Sequence, residues 1–164
     1  MQTGRMIARF QEQASVVVSA RYWRILATGD TWYAAYPRYI SAYTIKGFMS
    51  ADASGNDIFQ GKSVSASSIY SSSYLASYAV DGLESTRWLS DRNSTEYQWF
   101  QVDLGAAVAV RSLSINGYWS VSIDRRMWPR TFDVLASSDG TTWTTVASLS
   151  SENVSGYETW TDLQ

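Results

Sequence analysis

Neither cysteine nor histidine occurs in the 164 residues, proline occurs twice, and only 17% of residues are charged. The missing thiol and imidazole remove the common nucleophile–base pairs, any disulfide framework and the usual zinc sites. A formal net charge of −2 gives no field that would draw nucleic acid. No apolar run approaches the roughly 20 residues that span a bilayer, so no membrane span is expected. The start mixes Arg5 and Arg9 with glutamines and lacks the apolar centre of a signal peptide. The expectation is a soluble protein made in the cytoplasm.

What the chain has in quantity is aromatic surface: eight Trp, eleven Tyr and five Phe within a 45% hydrophobic composition. Such residues favour strands and also favour binding surfaces. Of the thirteen basic residues only Lys46 and Lys62 are lysines, a bias toward the planar guanidinium that stacks and makes paired hydrogen bonds.

Residues 1–14 have helical propensity, with Met6, Ile7 and Phe10 able to form one short apolar face. They read as an N-terminal arm or short helix, either a docking segment or a frayed terminus. From Ser15 the pattern becomes β, with VVVSARYWRI and ISAYTIKGFM on either side of the turn ATGDT. Residues 50–75 are dense in Ser, Ala and Gly, but Val64, Ile69, Tyr70 and Tyr74 interrupt them, and neither side is large enough to close a core alone. After Tyr74 come QWFQVDL, VAVRSLSINGYW, RTFDVLASS, TWTTVASL and ETWTDL at steady spacing. Val102/Leu104, Leu113/Ile115 and Phe132/Val134 are placed two apart, so one face of each strand is predicted to point inward. Residues 15–164 are therefore predicted to form a single all-β sandwich.

Three linked motifs are more specific. They are Ala79-Val80-Asp81-Gly82 with Thr86-Arg87-Trp88, then Trp99-Phe100-Gln101-Val102-Asp103-Leu104-Gly105, then Ser138-Asp139-Gly140 with Trp143. Asp81-Gly82 is a turn pair whose carboxylate can accept backbone N–H groups or meet a cation, Trp88 reads as a buried plug, and Asp103 ends a strand at a tight turn. Together, from about residue 63 to the end, they resemble the discoidin domain, also called the coagulation factor 5/8 type C domain and close to galactose-binding carbohydrate modules. The resemblance implies a two-sheet antiparallel jelly-roll β-sandwich. In that family the last strands resemble Ala20-Arg21-Tyr22-Trp23-Arg24-Ile25 and Tyr39-Ile40-Ser41-Ala42-Tyr43-Thr44-Ile45-Lys46, which here stand at the front. The expectation is a circular permutation in which residues 15–50 supply the strands that close the sandwich beside the C-terminal strand. The alternative is that they complete a neighbouring copy's sandwich.

The resemblance further implies a structural calcium ion held by Asp81, Thr86 and the carbonyls of Tyr78 and Leu83, although the family's late glutamate falls near Thr44. It also implies ligand binding by the loops Ser68–Tyr74, Asp91–Tyr97 and Tyr118–Pro129. Their candidates are Tyr70, Tyr74, Arg92, Asn93, Trp119, Arg125, Arg126 and Trp128, with Tyr97 and Asp124 beside them. Trp119 and Trp128 could equally cap the core while the arginines stay solvated. No catalytic residues are assigned, since Asp81 and Asp103 read as structural and the other loop carboxylates show no pairing of the kind a glycosidase uses. The function expected is a non-catalytic module recognising a glycan or cell-surface polysaccharide. Leaderless modules of this kind resemble bacteriophage virion proteins in tail, fibre or capsid decoration. A virion location follows, with the N-terminal arm on other virion proteins and a homo-oligomer or multicopy assembly supplying avidity. The alternative is a purely structural virion or scaffold protein whose aromatic loops make protein–protein contacts.

Overall fold

Along the strand β2 (Ser19–Ala27), Trp23, Ile25 and Ala27 are buried while Tyr22, Arg24 and Leu26 are less so. A register slip between Ala20 and Tyr22, opposite β6 (Trp99–Ala109), resets the phase so that Ala20 is buried as well. Trp23 ties this bulge, its indole N–H donating to the carbonyls of Ala20 at 3.0 Å and Val108 at 3.3 Å.

The structure, a computed structural model, describes residues 4–9, 18–120 and 125–151. Its other strands are β1 (Gly4–Arg9), β3 (Ser41–Phe48), β4 (Ser63–Ala66), β5 (Trp88–Leu89), β7 (Ser112–Gly117), β8 (Trp119–Ser120), β9 (Arg125–Arg126), β10 (Thr131–Ser137) and β11 (Thr144–Ser150), with one 3-10 turn at Ala76–Val80. Five strands lie in the order β11-β10-β2-β6-β4 and four in the order β1-β7-β3-β5, while β8 and β9 pair apart. Every ladder is antiparallel. The protein is an all-β antiparallel sandwich. No helix among the described residues is long and apolar enough to cross a membrane.

Between the sheets, Trp23, Ile25, Phe100, Val102, Phe132 and Val134 meet Ile45, Leu113 and Ile115 in one buried cluster. Each such side chain contributes about 1.5–3 kcal/mol by leaving water. Trp88 plugs one end at 1% exposure, 5.4 Å from the Phe100 ring, with its N–H donating to the Ser68 carbonyl at 3.1 Å.

The front strands sit inside both sheets. β2 is hydrogen-bonded to β10 on one side and β6 on the other, and β3 lies between β7 and β5. The C-terminal segment 158–163, beside which these strands were expected to pair, lies outside the described residues; the neighbours seen are β10, β6, β7 and β5. Residues Gly4–Arg9, read as an arm or short helix, are instead the edge strand β1, paired with β7 from Gly4↔Gly117 to Arg9↔Ser112. Tertiary pairing overrides local propensity here. A helix of that length leaves most of its terminal N–H and C=O groups unbonded, whereas the open edge of β7 offers partners.

Candidate functional site

One end of the sandwich is dense in tyrosine. The loop between β2 and β3 runs through turns in which Tyr36 N–H donates to the Tyr33 carbonyl at 3.0 Å and Tyr39 N–H to the Tyr36 carbonyl at 3.1 Å. Spacing by three brings these rings to the same side, 5.4 and 6.1 Å apart and edge to face. Thr31, buried at the loop's base, forms a bridge with Pro129, and Asp30 holds Arg38 at 3.1 Å.

The loop before the 3-10 turn continues the row. Tyr70 N–H donates to the Leu89 carbonyl at 2.7 Å, pinning the loop to β5. The Tyr70 ring then lies 6.1 Å from both Tyr39 and Tyr74. Five tyrosines thus make a continuous edge-to-face run, Tyr33, Tyr36, Tyr39, Tyr70 and Tyr74, of which all but the exposed Tyr70 pack with buried Leu89 and Met127. Burial pushes the Tyr39 phenol up to about 12, reinforced by Tyr70 and only partly offset by Arg87 and Arg92.

Gln98 organises the loop behind. It is 2% exposed, accepts from the Ser67 hydroxyl at 2.8 Å and from the Ser68 hydroxyl, and donates to Ser94 Oγ at 2.8 Å and the Glu96 carbonyl at 2.7 Å. One buried amide therefore locks two loops together. Asp91 then turns the chain by accepting the Asn93 N–H at 2.9 Å.

Arginines lie over the rings. Arg92 is 5.6 Å from both Tyr36 and Tyr70. Arg87 lies 4.6 Å from Tyr118, 5.2 Å from Tyr74 and 5.6 Å from Tyr43, and donates to the Tyr43 hydroxyl at 3.2 Å. Arg38 stacks 3.4 Å over Tyr97. Each contact is worth roughly 0.5–2 kcal/mol, more where water is excluded.

Among the residues read from sequence, Tyr70, Tyr74 and Arg92 come together in this surface. Asn93 is exposed beside them. Trp119, Arg125 and Arg126 lie on the β8–β9 hairpin, where Trp119 pairs with Arg126, and Asp124 falls outside the described residues. Trp128, a candidate either for stacking on ligand or for capping the core, is a core residue at 8% exposure, edge to face with Phe132 at 5.7 Å. Gly117 explains this, since a side chain there would bring a Cβ within 3.2 Å of the Trp128 Cβ. Sequence reasoning missed Tyr33, Tyr36, Arg38 and Tyr39; the signal was the tyrosine-dense TWYAAYPRY between two strands of the same sandwich.

The calcium expectation falls on a loop that bonds to itself. Asp81 Oδ1 accepts the Leu83 N–H at 2.8 Å, and Oδ2 accepts the Thr86 hydroxyl at 2.6 Å, around Gly82 at φ +81°. The Asp81 carboxylate is engaged by these two bonds, Glu84 of the same loop is exposed, and calcium takes six to eight oxygens. Among the described residues no three acidic side chains gather. The structure thus brings together Asp81 and Thr86, the two side chains that the resemblance names as calcium ligands.

The family profile of the F5/8 type C domain matches residues 63–162. No curated protein and no solved structure matches the chain.

Proposed function

The chain belongs to the F5/8 type C domain family, and on that premise we propose that it is a non-catalytic module that recognises carbohydrate through its tyrosine end. Ligand binding is the family's general role. The run of five tyrosines flanked by arginines carries the finer reading, because sugar faces stack on aromatic rings while guanidinium groups bond hydroxyls. Several carboxylates are used structurally, which supports a binding role without turnover. Asp81 and Asp91 cap turns, Asp57 accepts the N–H groups of Gly47 and Phe59, and Asp103 accepts from Arg21 at 2.8 and 2.9 Å.

The proposal includes circular permutation. Its support is that β2 and β3 carry segments resembling the family's last two strands, precede the matched region in sequence, and share its sheets. Weak single-site sugar contacts would suit display in many copies, as on a virion, where avidity multiplies them.

A glycan array with the whole chain tests the reading. Tyr70 is 42% exposed, so Tyr70→Ala is expected to abolish reproducible sugar binding with Tm unchanged. Silence of the unmodified chain across the array, with capture of protein partners at this end instead, overturns it in favour of a structural role.

A further inference from the structure

Four arginines show a contrast in pairing. Arg21 has Asp103 and Arg38 has Asp30. Arg87 and Arg92 have no carboxylate partner among the described residues, although both sit on the tyrosine surface. The Arg87 Nε–H is buried with no hydrogen-bond partner, while a terminal nitrogen of the same group donates to the Tyr43 hydroxyl. A guanidinium whose faces are covered by rings keeps only its edge for hydrogen bonds, and that edge matches a planar carboxylate with two parallel donors. A partly desolvated cation left without an anion is costly, so the site gains most from a ligand that brings one.

The two unpaired charges are linked through the rings. Arg92 lies 5.6 Å from Tyr70, Tyr70 lies 6.1 Å from Tyr74, and Tyr74 lies 5.2 Å from Arg87. An aromatic stretch with a cation at either end fits a saccharide chain whose rings stack and whose acidic groups recur. We propose that the ligand is an acidic polysaccharide of the uronate class, with sugar faces on Tyr36 and Tyr70 and carboxylates on Arg92 and Arg87. This rests on the reading that the tyrosine end binds carbohydrate.

The experiment measures binding of the whole chain to polygalacturonate and alginate, and to the same polymers with their carboxyl groups reduced to alcohols. The acidic forms are expected to bind about tenfold tighter or more, since hydrogen bonds to charged groups carry that discrimination. High salt is expected to erode the difference. Arg92→Gln, at an exposed position, is expected to erase it, and Arg92→Lys to restore it only in part. Equal affinity for acidic and reduced polymers overturns the uronate assignment and leaves the carbohydrate reading standing. Binding to neither polymer form and to no sugar on a glycan array overturns both. Binding to phosphatidylserine vesicles with no polymer bound also overturns both.

Discussion

Trp23 of β2 stands directly opposite Val102 of β6, so the middle of the five-stranded sheet is made from a strand at the front of the chain and one from its interior. A central strand cannot be removed without opening two ladders at once, here those with β10 and β6. Residues 63–164 alone are therefore expected to lack a cooperative thermal transition. Moving residues 18–62, which include the core ring of Phe59, behind residue 164 on a short linker is expected to restore one, which circular dichroism would follow. Cooperative unfolding of 63–164 by itself would show that β2 is dispensable. Within the whole chain, Trp23→Ala is expected to cost about 3–5 kcal/mol in denaturant titration, because it leaves a cavity and unties the bulge.

Gly47 of β3 is tied to packing between the sheets. A Cβ at this position would lie 2.5 Å from the Phe59 ring, which is itself 2% exposed. Gly47→Ala is expected to destabilise by about 1–3 kcal/mol as the ring is forced off its position. In a Phe59→Leu background the same change is expected to cost less than half as much, a coupling that a double-mutant cycle reads directly. Equal penalties in both backgrounds would locate the strain in the backbone.

The strands β6, β7 and β10 were legible because apolar residues two apart need only local backbone geometry to face a core. Asp81, Asp103 and Asp139 were legible for a related reason, since each closes a turn with N–H groups two or three residues on. The tyrosine loop was not. Tyr33, Tyr36 and Tyr39 carry no strand period, and their meaning depends on β2 and β3 delivering that loop to the end where Tyr70 and Tyr74 emerge. Gln98 is similar, reading as an ordinary flank of a strand until Ser67, Ser68 and Ser94 close around it. Trp128 stayed undecided between ligand and core, because the room made by Gly117 is invisible from Trp128's own surroundings in sequence.

The Asp81 loop is expected to owe its order to its own hydrogen bonds. Thr86→Val removes the donor to Asp81 Oδ2, and Asp81→Ala removes both bonds. Each bond contributes roughly 1 kcal/mol, so Thr86→Val is expected to lower Tm by about 2–4 °C and Asp81→Ala by more. Both shifts are expected to be the same in millimolar calcium and in EGTA. A rise of several degrees with calcium in the unmodified chain, absent in Asp81→Ala, would mean that the carboxylate exchanges these bonds for an ion.

The dependence of stability on pH follows from which groups titrate. With no histidine, no side chain with an ordinary pKa changes charge between about pH 5 and 8, and Tm is expected to be flat there. In acid, Asp103 is held below the usual carboxylate range by the Arg21 hydrogen bond, and Asp139 is held there by the N–H groups of Thr142 and Thr141. Depressed folded values mean that this stabilisation is complete above the unfolded value of about 3.9 and is lost as pH falls below it. Stability is therefore expected to decline from about pH 4 downward, less steeply in Asp139→Asn than in the unmodified chain. In alkali the sign reverses. The phenol of Tyr39 is raised to about 12, so its contribution is present below the ordinary value of about 10 and is lost as pH climbs through the interval. Absorbance titration at the phenolate band is expected to show the Tyr39 phenol ionising late, close to unfolding, and Tyr39→Phe is expected to remove that late step. Loss of a different step would assign the raised phenol to another ring.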